Sequence, residues 1–169
     1  MADFKLYAPT LSKWEGGYGN YKEDTGGPTM RGITIATFRQ YFGADKTVAD
    51  LKAMTDAQWE YIMKGQFWDK CGADNINDQK VAEIFVDWCI NSGLAHIKDV
   101  QRMVGTKADG IVGKMTLAAI NNTEPRHLFI CIKIARARHF CVITEQKRQY
   151  EIFFDGWINR LADFQYNKK

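Results

Sequence analysis

Tyr7, Leu11 and Trp14 stand at i, i+4 and i+7, the spacing of one apolar face of a short amphipathic helix. Pro9 is compatible with that helix if it occupies the first turn, where a missing backbone N–H costs nothing. Gly16 and Gly17 end it, which puts Glu15 at its carboxyl end. Positions 16–33 lose the periodicity and are rich in Gly, Asn, Asp, Thr and Pro around Tyr18, Tyr21 and Ile33. This predicts a loop carrying a small hairpin.

From Thr34 onward almost every segment reads helical. Thr34 is placed to cap a helix through Phe42 that Gly43 ends, and Thr55 with Gln58 forms a capping-box pattern before Trp59, Ile62, Met63 and Phe67. Asn77 or Asp78 opens the clearest core helix, with Val81, Ile84, Phe85, Trp88 and Cys89 on one stripe, and Asn91-Ser92-Gly93 breaks it. Beyond Gly93, a helix with Val100, Met103 and Val104 ends at Gly105. A glycine-flanked turn, Lys107 to Gly113, leads to a helix with Met115, Leu117 and Ile120. Pro125 fits the first position of a long helix to about Ile143, and helical spacing resumes through Phe153, Phe154, Trp157, Ile158 and Leu161. The expected fold class is mainly α. The expected division is 1–92 and 93–169, packed as one compact unit because no long linker intervenes.

At 169 residues the chain is long enough to bury a real core. A formal net charge of +3 gives no electrostatic footprint of nucleic-acid binding, and none is expected. The amino terminus lacks the apolar stretch of a secretory signal, and no segment reaches the roughly 20 apolar residues of a membrane span. The expectation is synthesis in the cytoplasm as a soluble product. Cys71, Cys89, Cys131 and Cys141 form no CxxC pair. Cys131 and Cys141 on one helix would lie about 15 Å apart, too far for a disulfide, so buried free thiols are expected.

The chemistry concentrates in Trp14-Glu15-Gly16-Gly17-Tyr18 and Asp24-Thr25-Gly26-Gly27-Pro28-Thr29. Glycoside cleavage needs a protonated acid beside the leaving oxygen and a carboxylate that activates water or supports positive charge at the sugar carbon. Glu15 suits the acid role, with Trp14 and Tyr18 as candidate apolar neighbours that would raise its pKa. Asp24 suits the second role, and Thr29 could orient Asp24 or hold the water. The plain alternative is a surface acid at a helix end and an aspartate that shapes a turn. A helix carboxyl end disfavours an acid, so helix stability gives no reason for Glu15 to be there.

The pattern Glu-Gly-Gly-Tyr followed by Asp-x-Gly-Gly-x-Thr-x-x-Gly-Ile-Thr, Asp24 to Thr34, resembles the glycoside hydrolase 108 family, N-acetylmuramidases found as phage endolysins and secretion activator proteins. The resemblance implies a lysozyme-like helical fold and maps the family's catalytic glutamate onto Glu15. The eight residues between Glu15 and Asp24 are similar to the spacing in phage-T4-type lysozymes, where an Asp and a Thr complete the site. That implies catalytic roles for Asp24 and Thr29, although four residues separate these two against five in the T4-type pattern. Gln101 to Ile120, above all Asp109 to Leu117, and the ending Phe154 to Arg160 resemble the predicted peptidoglycan-binding module that usually follows this catalytic region. The resemblance covers about residues 10–162.

Tyr18 could stack on a sugar face or pack in the core. Asp87 and Asn91, at i and i+4 on the core helix, could contact substrate or simply be surface polar residues; Asn91 is carried as a candidate substrate-binding residue. Lys133, Arg136, Arg138, Lys147 and Arg148 make the late helices basic, a solvated face by default. His96, His127 and His139 lack metal-ligand spacing, so neither metal nor cofactor is expected. No Ser-His-Asp or Cys-His arrangement is readable. Two functions follow: a muramidase cutting the β-1,4 bond from N-acetylmuramic acid to N-acetylglucosamine, or a non-catalytic wall-binding, secretion-accessory protein. Either would be a monomer acting on peptidoglycan glycan strands of the cell wall, in the periplasm. It would act after release, through a holin-like partner if the role is phage lysis.

Overall fold

The computed structural model describes residues 1–19 and 27–166 and divides the chain into two compact units, Phe4–Gln66 and Met1–Asp3 with Phe67–Lys169. The Phe4–Gln66 unit begins with α1 (Phe4–Trp14), which buries Phe4, Tyr7, Ala8 and Leu11. The helix starts three residues before Tyr7, so Pro9 lies in its interior and not in its first turn; the apolar pattern marks Tyr7 but misses Phe4 as the opening residue. β1 (Tyr18–Gly19), β2 (Thr29–Met30) and β3 (Ile33–Thr34) form an antiparallel sheet in that order, with Gly19 opposite Thr29 and Met30 opposite Ile33. The two-residue connection Arg31-Gly32 has φ of +49° and +75°, the signature of a type I′ hairpin turn, whose twist matches that of the strands.

Thr34 closes β3 and caps α2 (Ile35–Phe42) by accepting the Thr37 N–H at 3.1 Å; Gly43 ends the helix at φ +120°. A short helix α3 (Val48–Lys52), which the sequence pattern did not announce, has its own capping box between Thr47 and Asp50. The Thr55–Gln58 box opens α4 (Asp56–Met63) as expected. Leu11, Ile33, Phe38, Leu51, Trp59 and Ile62 are buried; each large apolar side chain removed from water contributes about 1.5–3 kcal/mol.

The other unit is organised on α5 (Gln79–Ser92), capped by Asp78, whose carboxylate accepts the Val81 N–H at 2.9 Å. Every residue from Val81 to Cys89 is buried, so this is a core helix on all faces. Around it come α6 (Ile97–Met103), α7 (Lys114–Asn122), α8 (Pro125–Gln146) and α9 (Glu151–Ala162); α8 packs against both α5 and α9. Gln101 on α6 is fully buried and organises the glycine-flanked turn. Its amide nitrogen lies 3.0 Å from both Asp109 Oδ1 and the Ile111 carbonyl, and its oxygen accepts the Gly110 N–H at 2.8 Å.

Two polar expectations are corrected here. Asp87 does not contact solvent. It is fully buried, with Arg136 Nη2 and Arg160 Nη2 each 2.6 Å from its carboxylate. Arg136 is likewise not on a solvated face: its exposure is 0%, and its Nε and Nη1 meet no hydrogen-bond partner among the described residues. A cation there balances an anion that the apolar stripe of α5 could not leave alone. The cysteines are free, but only Cys71 and Cys89 are buried; Cys131 is half-buried and Cys141 exposed, because α8 turns these positions outward. Among the described residues no helix is long and apolar enough to cross a membrane.

Candidate active site

Glu15 follows directly on α1, and its N–H still donates to the Leu11 carbonyl at 3.1 Å. The helix therefore fixes where the side chain starts, while Gly16 and Gly17 let the chain turn away. A β-carbon at Gly16, Gly17 or Gly27 would meet no described atom within 4 Å. The half-buried Glu15 side chain reaches toward the hairpin turn. A β-carbon on Gly32 would lie 2.5 Å from Glu15 Oε2. Gly32 is thus required twice, by its φ of +75° and by the carboxylate against it.

The residue beside it, Arg31, is the part of the site that the pattern did not reveal. A non-glycine residue at φ +49° is uncommon and needs support from its surroundings. Here the support is dense. Nη1 donates to Asp56 at 2.5 Å, and Nη2 to the Ser12 hydroxyl at 2.7 Å. The guanidinium lies 4.4 Å from the Trp59 ring centre, and the Trp59 indole N–H donates to the Arg31 carbonyl at 3.0 Å. The Arg31 N–H donates to Gly17 O at 3.2 Å. One residue ties the hairpin turn to α1, α4 and the glycine pair after Glu15. Hairpin turns are usually announced by Asn-Gly or Asp-Gly; Arg-Gly gives no such signal.

Tyr18 is exposed on β1 and does not pack in the core; the Lys52 ammonium sits 4.1 Å from its ring centre. Thr29, across from Gly19, donates its hydroxyl to the Gly19 carbonyl at 3.3 Å. Glu15, Tyr18 and Thr29 therefore gather around one small sheet. Asp24 lies outside the described residues. Asn91 belongs to the Phe67–Lys169 unit, at the end of α5. The Trp14 indole nitrogen is buried and meets no hydrogen-bond partner among the described residues. Nor does any group of three or more His, Cys, Asp or Glu among those residues form a metal site. Among the described residues, the half-buried Glu15 carboxyl group lies against Gly32, with the exposed Tyr18 ring and Thr29 on the adjoining sheet. A carboxyl group so placed can give or take a proton.

No curated protein matches the chain. Among solved structures, SagA of Brucella abortus is similar over 95% of this chain and 90% of its own, with 29% identity and a TM-score of 0.78. That likeness carries the mainly α, lysozyme-like fold. Residues 95–162 match the family described as Predicted Peptidoglycan domain, which takes in the Gln101–Asp109 turn and all of α7 and α8. Residues 8–93 match the family described as Glycosyl hydrolase 108, a span that includes Glu15, Arg31 and Gly32; the chain belongs to the glycosyl hydrolase 108 family.

Proposed function

We propose that this protein is an N-acetylmuramidase that hydrolyses the β-1,4 bond between N-acetylmuramic acid and N-acetylglucosamine in peptidoglycan. Glu15 protonates the leaving oxygen. Asp24 positions the attacking water or supports the oxocarbenium-like transition state, and Thr29 assists it. Tyr18 offers a ring face to a sugar, and Asn91 an amide to an N-acetyl or hydroxyl group. No cofactor takes part. The observation that carries this reading is the half-buried Glu15 carboxyl group, held against Gly32 within the matched glycosyl hydrolase region. By analogy with T4-type lysozymes the reaction inverts the anomeric centre, which calls for a water between carboxyl groups about 6.5–9.5 Å apart. The enzyme works as a monomer on the wall after leaving the cytoplasm, with a holin-like partner if it serves phage lysis.

A second reading, a non-catalytic peptidoglycan-binding accessory of secretion, draws on the match of residues 95–162 and on the likeness to SagA. One experiment separates them. Purified peptidoglycan is digested with the wild type and with Glu15→Gln, reduced with borohydride and analysed by mass spectrometry. New reduced muramic-acid ends from the wild type alone are expected. Reduced glucosamine ends would move the cut to the other bond. No new ends from either protein, with both still pelleting on the polymer, would leave only the accessory role.

A further inference from the structure

A groove of about 400 Å³ opens on the Phe67–Lys169 unit, where the end of α5 meets α8 and α9. Part of the lining is aromatic. Trp157 stacks with Phe140, ring centres 5.3 Å apart, and with Phe153, 6.0 Å apart, and Tyr150 tilts against both Trp157 and Phe153. Phe140 is buried, whereas Phe153 keeps 50% of its surface in solvent. Asn91, Ser92, His139 and Ile143 complete the lining.

The polar part is built rather than incidental. Asn91 Oδ1 lies 3.5 Å from both Arg136 Nη2 and the Ser92 hydroxyl. Arg136 is itself pinned by the buried Asp87 carboxylate. The amide is thereby oriented from the core outward, and its Nδ2 donates to no described protein atom. His139 packs edge-on to His96, with ring centres 4.5 Å apart, and His96 stacks on Trp88. Burial first, then the neighbouring His96, hold the His139 pKa below its ordinary value, so at neutral pH the ring is uncharged, one donor and one acceptor.

Among the described residues, no Asp, Glu, Lys or Arg lines the groove. That disfavours phosphate, nucleic acid and acidic or basic peptides, which need a charge opposite theirs. Flat rings and uncharged hydrogen-bonding groups lining one groove match a pyranose, with its apolar C–H faces and its rim of hydroxyl and acetamido groups. The volume falls within the roughly 300–1,000 Å³ of small-ligand sites. Tyr150, Phe153, Trp157 and His139 all lie in the stretch matched to the peptidoglycan domain.

We infer that this groove binds a neutral N-acetylhexosamine residue of the wall glycan, stacked on the half-exposed Phe153 ring and hydrogen-bonded through its acetamido group to Asn91. The inference rests on the peptidoglycan reading above and adds to it the place and the sugar. The test uses the full chain carrying Glu15→Gln, so that no probe is consumed, and titrates it with chitotetraose by calorimetry. Phe153→Ala and Asn91→Ala are each expected to weaken binding about five- to tenfold, whereas Phe153→Tyr, which keeps a flat ring, restores it. Phe153 is half-exposed, so its removal leaves the core intact, and an unchanged melting temperature verifies this. Unchanged affinity in Phe153→Ala and Asn91→Ala would overturn the inference. So would the absence of any chitotetraose binding by the parent. Wall digestion by the wild type is read separately: groove variants that lose the sugar while the wild type cuts nothing would leave the inference standing and remove the hydrolase.

Discussion

The carboxylate of Glu15 fills the space in which Gly32 would carry a side chain. An acid at the end of a helix and a glycine in a hairpin turn, seventeen positions apart in the chain, thus act as one unit. Gly32→Ala is expected to push the carboxylate away and to strain a backbone at φ +75°, a cost of about 1–2 kcal/mol. Activity on peptidoglycan should fall further than that loss of stability explains, measured as turbidity clearance beside the melting temperature. Retained activity at full stability would show that Glu15 does not depend on Gly32.

Arg31 is expected to matter through position rather than charge. Arg31→Ala loses the contacts to Ser12, Asp56 and Trp59, and keeps the unfavourable φ. Urea unfolding should show it about 1–3 kcal/mol less stable. Arg31→Gly relieves the backbone while losing the same contacts and should fall between Ala and the wild type.

Removing the carboxylate at Asp87 leaves two buried guanidinium groups facing each other. Asp87→Ala is expected to cost about 3–5 kcal/mol, seen as a lower urea midpoint, because two buried cations lose the carboxylate they share. Replacing all three residues by apolar ones of similar volume should recover much of this.

The four thiols should divide by reactivity. Cys141 is exposed and should react rapidly with an aromatic disulfide reagent in the native protein. Cys71 should react only on unfolding: its hydrogen bond with Cys89, then burial, holds its pKa well above the ordinary value. Rapid labelling of Cys71 would mean that the core around α5 opens readily.

Asp109 accepts the Ile111 N–H, then the Gln101 amide, and both hold its pKa below the ordinary 3.8. A depressed folded pKa means stabilisation that is complete above about pH 4 and is lost as pH falls through the folded value. Acid unfolding monitored by circular dichroism should therefore be shallower in Asp109→Asn. An NMR titration should place the Asp109 midpoint below that of an unfolded peptide.

Much of this was readable from residue types alone where local chemistry decides the outcome. The caps at Thr34, Thr55 and Asp78, the stops at Gly43 and Gly93, and Pro125 at the start of α8 are each a short-range hydrogen-bonding or steric choice. Glu15 stood out as a candidate because an acid at a helix carboxyl end gains nothing from helix stability. Arg31 was not legible, because its partners lie 19, 25 and 28 positions away and no periodicity connects them. Asp87 and Arg136 were misread for the same reason: each looks like a surface charge until the other is placed beside it. The start of α1 was misplaced because Phe4 contributes to its buried face outside the spacing that marked Tyr7.

The ion cluster in the Phe67–Lys169 unit joins Asp87 to a residue 73 positions later, Arg160, near the end of α9. During synthesis, Asp87 leaves the ribosome long before Arg160 does. Until the last helix emerges, the Asp87 carboxylate lacks its contacts with Arg160, and the interior around it is incomplete. The final turns of α9 therefore act as a clasp on an interior assembled earlier. A ribosome stalled shortly before them would hold a nascent chain with its interior still incomplete, a substrate for proteases rather than a finished protein.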